Sequence, residues 1–194
     1  MAVKHQRFES RQTMHNQTFE VFRYKDAYPK EVTLHHHDFY EIYFLLAGDV
    51  TYLIESRIVH VMPGDLLLIS PKELHQVCIQ PEMSVYERYV LWVDPDTIRQ
   101  LSDGRIDLLS GLDPNRPGYG NQLRLGSQDR SRIQDLMEQL HRESSGDGYG
   151  AEMLRRSLLT QLLIAIIGVV FSALLAWIVR AVIPPLKGWL DEHT

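Results

Sequence analysis

The chain has 194 residues, of which 44% are hydrophobic and 23% charged, and it carries a formal net charge of −5. That balance excludes a disordered chain, and the lack of a basic block excludes a surface that grips DNA through phosphate contacts. Cys78 is the single cysteine, which excludes an intrachain disulfide and a zinc cluster of CxxC type.

The first stretch is polar, with no apolar leader between Met1 and Glu20. A cytoplasmic location is therefore expected for the domain behind it, and residues 1–17 read as an amino-terminal arm. Residues 18–94 then read as strands, over 18–24, 32–37, 40–47, 50–55, 58–61, 66–69, 76–79 and 85–93. They are short, rich in β-branched and aromatic residues, and divided by turn signals such as Ala47-Gly48-Asp49, Pro63-Gly64-Asp65 and Ser70-Pro71. Such a series predicts an antiparallel sandwich or barrel. Gly48 and Gly64 read as turn glycines, and Cys78, within HQVCI, as a small core residue.

Beyond Asp94 the pattern changes. Residues 95–126 read as a short helix followed by a Gly- and Pro-rich surface loop. A helix starts at Ser127, which is expected to cap it, and Ile133, Leu136, Met137 and Leu140 form one apolar stripe. A second helix begins near Ala151, making a helical pair over 127–160. It continues into an apolar segment at 161–183, which Pro184-Pro185 stops, leaving a tail at 184–194. Residues 157–179 (SLLTQLLIAIIGVVFSALLAWIV) contain no charge, and a membrane-spanning helix needs about 20 such positions. Two readings are open. Residues 157–183 form a transmembrane helix that anchors a cytoplasmic domain, or they form a buried dimerisation helix.

Chemistry concentrates at HHHDFYE. His35, His37 and Glu41 share parity, so on extended chain they project to one face, with His36 on the other. His75, at the start of a later strand, supplies a third imidazole. These four side chains can line a pocket for an organic effector, hold a divalent metal, or satisfy one another. A metal would also open an enzyme reading, with Glu41 as base in a dioxygenase or isomerase. Tyr40, Tyr43, Phe44 and Tyr52 can stack on a sugar ring, with core packing as the plainer reading for Phe44. Glu87 and Arg88 can reach the pocket rim, with a solvated face of the last strand as the plainer reading.

The run HxHxxxE, then six residues, then Gly matches the first cupin motif at His35, His37, Glu41 and Gly48. Residues 63–75 resemble the second, although Pro71-Lys72-Glu73-Leu74-His75 is one residue shorter than P-x-G-x-x-H and lacks its glycine. The wider wording, HHHDFYEIYFLLAGDVTYLIE, PGDLLLISPKELHQV and YERYVLWVDPDTI, resembles the effector-sensing domain of AraC-type transcription regulators over residues 10–165. The resemblance implies a mainly β, cupin-type barrel followed by two helices, the second extending into the apolar segment. It implies a small-molecule effector, often a sugar, held by His35, His37, Glu41, His75, Tyr43 and Tyr52, with no resident cofactor required. It also implies homodimer contacts through residues 127–165 and no enzymatic activity. The DNA-reading helices of such regulators have no counterpart before Thr194, so direct DNA binding by this chain alone is not expected.

Overall fold

Period-two alternation of apolar residues becomes seven strands in the first part of a computed structural model that describes residues 12–26, 32–79 and 85–182. Residues 1–11 of the arm, Pro184-Pro185 and the tail lie outside the described residues. The chain divides into two units, residues 1–97 and 98–194.

In the first unit the strands are β1 (Phe19–Asp26), β2 (Tyr40–Ala47), β3 (Val50–Ile54), β4 (Arg57–Val61), β5 (Asp65–Ile69), β6 (His75–Ile79) and β7 (Tyr86–Val93). Within this unit one sheet runs β1-β7-β2-β5 and the other β4-β3-β6, every pair antiparallel. This is the cupin-type barrel the motifs imply. Alternate residues turn inward and form one core: Tyr43, Leu45, Val50, Tyr52, Ile54, Val61, Leu67, Ile69, Val77, Tyr86 and Val90. The same alternation sets the site, because Glu41 shares parity with Tyr43 and Leu45, and His75 with Val77.

Two expectations fail here. Residues 32–37 do not form a regular strand; only an isolated bridge joins His35 to His75, and the chain bends at Asp38-Phe39 before β2 begins. Cys78 is exposed rather than in the core, because it follows the inward Val77 and period two turns it outward.

The second unit contains a 3₁₀ turn (Leu108–Leu112), a short strand β8 (Gln122–Arg124), α2 (Ser127–Glu143) and α3 (Ala151–Val182); the helix α1 (Pro95–Leu101) leads into it. The predicted surface loop is therefore partly ordered and partly buried: Leu108, Leu112, Leu123 and Leu125 are core residues. The predicted cap also shifts. Gly126 occupies the N-cap position, without a side-chain cap, and Ser127 is the first helical residue. The apolar stripe of α2 is buried as expected, at Ile133, Leu136, Met137 and Leu140, and α2 packs on α3.

The first half of α3's apolar segment is core. Leu158, Leu159, Leu162, Leu163, Ile166, Ile167 and Val170 are all buried. Gly111, in the 3₁₀ turn, comes so close that a Cβ there would lie 2.9 Å from two carbons of Ile167. The second half is different: Phe171, Leu175, Trp177, Ile178 and Val179 are exposed. By length and composition the helix over 151–179 can cross a membrane, a test that core helices of soluble proteins also pass.

Candidate functional site

The site begins with the turn between β5 and β6, whose glycine is missing. Lys72 takes the left-handed conformation instead, at φ 71°, a conformation that costs a residue with a side chain about 1–2 kcal/mol. The turn is tied down at several points. The Lys72 N–H donates to the His37 carbonyl at 2.7 Å. The Ser70 N–H donates to the Glu73 carboxylate, and the Leu74 N–H to the Glu55 carboxylate, both at 2.7 Å. His75 then exchanges two backbone hydrogen bonds with His35, at 2.9 and 3.1 Å. This bridge, rather than a continuous strand, carries His35 to the site.

All three imidazoles are oriented in the same way. The Nδ1 of His35 lies 2.8 Å from the Thr33 carbonyl, that of His37 2.8 Å from Phe39, and that of His75 2.9 Å from Glu73. A carbonyl can only accept, so each Nδ1 carries the proton and each Nε2 presents a lone pair in the neutral ring. The Nε2 atoms of His37 and His75 are buried with no hydrogen-bond partner among the described residues. The His37 Nε2 lies 3.6 Å from a Glu41 carboxylate oxygen, and the Trp92 indole N–H donates to Glu41 at 2.8 Å. Ligand atoms of His37, Glu41 and His75 all lie within 4.8 Å of one another. Two free imidazole nitrogens and a carboxylate in a buried space fit a divalent metal.

Burial works to raise the Glu41 pKa, but His37, His75 and the Trp92 N–H outweigh it and hold the carboxyl down at about 2. Burial lowers His75 to about 4, with Glu41 opposing, so its ring is neutral at pH 7. Burial also raises the phenols of Tyr43, Tyr52 and Tyr86.

Beside this cluster lies a cavity of about 200 Å³ between the two sheets. His35, Glu41, His75 and Tyr52 line it, as does Arg88. His37 and Tyr43 are fully buried and stand behind that wall. His37 stacks on Phe39 at 4.0 Å, and the Tyr43 hydroxyl donates to that of Tyr86 at 3.0 Å. Tyr40 and Phe44 do not line the cavity; Phe44 is core.

One wall is only partly foreseen in the sequence, at Arg88. Tyr86, Arg88, Val90 and Trp92, alternate residues of β7, all face the cavity, joined by Tyr24 and Gln12. The signal is present in the alternation of YERYVLW, and of the two readings of Arg88 the structure takes the pocket rather than the solvated face. The Arg88 side chain is 14% exposed and ion-paired with Asp26, and its guanidinium lies 3.9 Å from the Tyr86 ring centroid and 4.7 Å from that of Tyr24. Glu87 points the other way, to Arg23 and Lys25.

Two facing antiparallel sheets around a cavity with polar groups in its wall are the architecture of a cupin-type barrel. Residues 19–163 match the AraC-like ligand binding domain, and the chain belongs to that family. No curated protein sequence matches. Solved structures that resemble it include a cupin protein from Bacteroides fragilis, at 22% identity over 41% of this chain and 69% of that one, TM-score 0.37. A DMSP lyase from Ruegeria pomeroyi matches at 22% identity over 41% of this chain and 40% of its own, TM-score 0.36. A polyketide cyclase from Streptomyces resistomycificus matches at 17% identity over 41% and 56%, TM-score 0.36.

The two perturbed groups give stability a definite pH dependence. His75 binds its proton near pH 4 when folded and near 6.5 when unfolded, so the unfolded state takes up that proton first. Glu41 does the same between 4.5 and about 2. Both effects lower stability as pH falls. The free energy of unfolding is expected to fall on acidification from pH 6.5 to 4, by an amount on the order of 3 kcal/mol or less from His75. His75→Gln should flatten that window and also weaken the loss below pH 4.5, because His75 helps to hold Glu41 down. A flat profile from pH 6.5 to 4 in the parent protein would contradict the assignment.

Proposed function

We propose that this chain is the effector-sensing domain of an AraC-type regulator, binding a sugar-like small molecule between its two sheets without turning it over. The observation that carries this reading is the cavity wall. It joins aromatic faces at Tyr52, Tyr86 and Trp92 to hydrogen-bonding groups at Glu41, His35, His75 and Arg88, the mixture that orients a small polar ligand. Gln12, in the arm, also lines the cavity, and its N–H donates to the His36 carbonyl at 3.0 Å. A ligand there touches the arm, so occupancy can bias how the arm packs, provided affinity differs between its arrangements. The net charge of −5 agrees with assigning no DNA contact to this chain alone.

A second reading has its own support. The unpartnered Nε2 atoms of His37 and His75, facing Glu41, suit a divalent metal, with His35 adjoining. Such an ion would act as a Lewis acid toward a ligand oxygen, and a cupin enzyme of dioxygenase or isomerase type is the alternative it favours.

Titration calorimetry with a panel of monosaccharides and their acids tests the first reading, with elemental analysis of the same protein. At least one compound is expected to bind and be recovered unchanged. Tyr52→Ala or Trp92→Ala should weaken it at least tenfold, consistent with the loss of ring stacking of about 1 kcal/mol or more plus the buried area. Stoichiometric metal that disappears in His75→Ala, together with conversion of a bound compound, would replace the sensor reading with the enzyme.

We also infer that the apolar part of α3 joins two copies of the chain rather than crossing a membrane. The support is burial: with most of 158–170 engaged in the second unit, the continuous exposed apolar run among the described residues covers residues 171–179. Nine helical residues span about 14 Å, roughly half the hydrocarbon thickness of about 30 Å. The full chain is expected to leave the membrane fraction in a carbonate wash and to sediment as a dimer that Leu175→Glu dissociates. Retention in the pellet until detergent is added would make the helix an anchor.

A further inference from the structure

The cavity has two chemically opposite ends. At one lie Glu41, His35 and His75. The rings of His35 and His75 give their Nδ1–H to backbone carbonyls at 2.8 and 2.9 Å, and the Glu41 carboxylate already accepts from Trp92. What this end offers a ligand is lone pairs, so it asks for hydrogen-bond donors. At the other end lies Arg88, a group with donors only. Its Nη1 is engaged by Asp26 and by the Tyr86 carbonyl, while Nε and Nη2 have no partner among the described residues. The guanidinium carbon lies over the rings of both Tyr24 and Tyr86, contacts that restrain it, and a guanidinium fork suits a planar anion.

Register sets the distance between the ends. Glu41 pairs with Trp92 on β7, and Arg88 lies four residues along the same strand, about 13 Å away at the backbone. The cavity, of about 200 Å³, has room for a six-membered ring with its hydroxyls. The walls between the ends are Tyr52, Tyr86, Trp92, Val77 and Val90, flat or apolar surfaces for the face of a ring.

We propose that the effector is a monosaccharide acid, its carboxylate held by Arg88 and its ring hydroxyls donated to Glu41 and His75. This rests on the effector-sensing reading and narrows it: a neutral sugar leaves the guanidinium fork unanswered, and an acid without hydroxyls leaves the lone-pair end unanswered. An acid entering the other way round would set its carboxylate against Glu41.

Calorimetry on the full chain tests this with glucuronate, galacturonate and mannuronate, each against glucose, galactose or mannose, with and without a chelator. At least one acid is expected to bind ten or more times more tightly than its neutral parent. Arg88→Gln should erase that advantage, weakening the acid at least ten times more than its neutral parent, and Arg88→Lys, which keeps the charge and loses the fork, should retain part of it. If thermal unfolding shows Arg88→Gln to be misfolded, the Arg88→Lys titration decides. Neutral sugars binding as tightly as their acids would overturn the inference and leave the sensor reading standing. So would an acid whose binding is lost to chelator but unmoved by Arg88→Gln, because a metal would then hold the carboxylate. If none of the six compounds binds, the inference falls, and the wider panel decides the sensor reading separately.

Discussion

Three hydrogen bonds from imidazole to backbone organise the pocket. His35, His37 and His75 each give Nδ1–H to a carbonyl two residues away in sequence. Each bond selects a tautomer, sets a ring plane and turns Nε2 away from its own backbone. Without them the rings are three rotatable polar groups in an apolar barrel. With them, Glu41 meets oriented lone pairs on one side and the Trp92 indole on the other. The backbone pair between His35 and His75 and the turn at Lys72 bring the rings into reach of one another in this arrangement.

Keeping such a cluster inside the barrel has an energetic cost. An unpartnered buried polar atom costs about 1–3 kcal/mol, and His37 and His75 each have one. The left-handed Lys72 adds to that. Groups that are fully satisfied need no ligand, whereas these retain capacity for one, and that is the pattern expected where binding rather than stability shapes the residues. The apolar core shared by both sheets, from Leu45 through Val77 to Val90, supplies the stability that tolerates it.

Much of this is legible in the sequence because period two is a simple rule. The strands, the inward faces at Glu41 and His75, and the α2 stripe all follow from alternation or from helical spacing. The convergence of His35 with Glu41 is legible for a different reason from the true one: parity on a continuous strand predicts it, whereas a bend at Asp38-Phe39 and a bridge to His75 produce it. Arg88 misleads because alternation defines two faces without saying which is inside, and a charged residue argues for the outer one. Its contact with the Tyr24 ring and its pairing with Asp26 draw on a neighbouring strand, so no local pattern reveals them. Lys72 is similar, since nothing in PKELH marks a lysine as the residue that will take the glycine's conformation. The buried leucines of 108–125 sit in a stretch whose glycines and prolines describe turns and say little about packing.

The orientation of the three rings is therefore the central physical claim, and it can be read directly. Long-range ¹H–¹⁵N correlation spectra of the imidazole side chains at pH 7.5 distinguish the two neutral tautomers. All three rings, His35, His37 and His75, are predicted to carry the proton on Nδ1. Nε2-protonated rings at His37 and His75 would show that the carbonyls do not orient them, and a pocket organised by those bonds would not exist in solution.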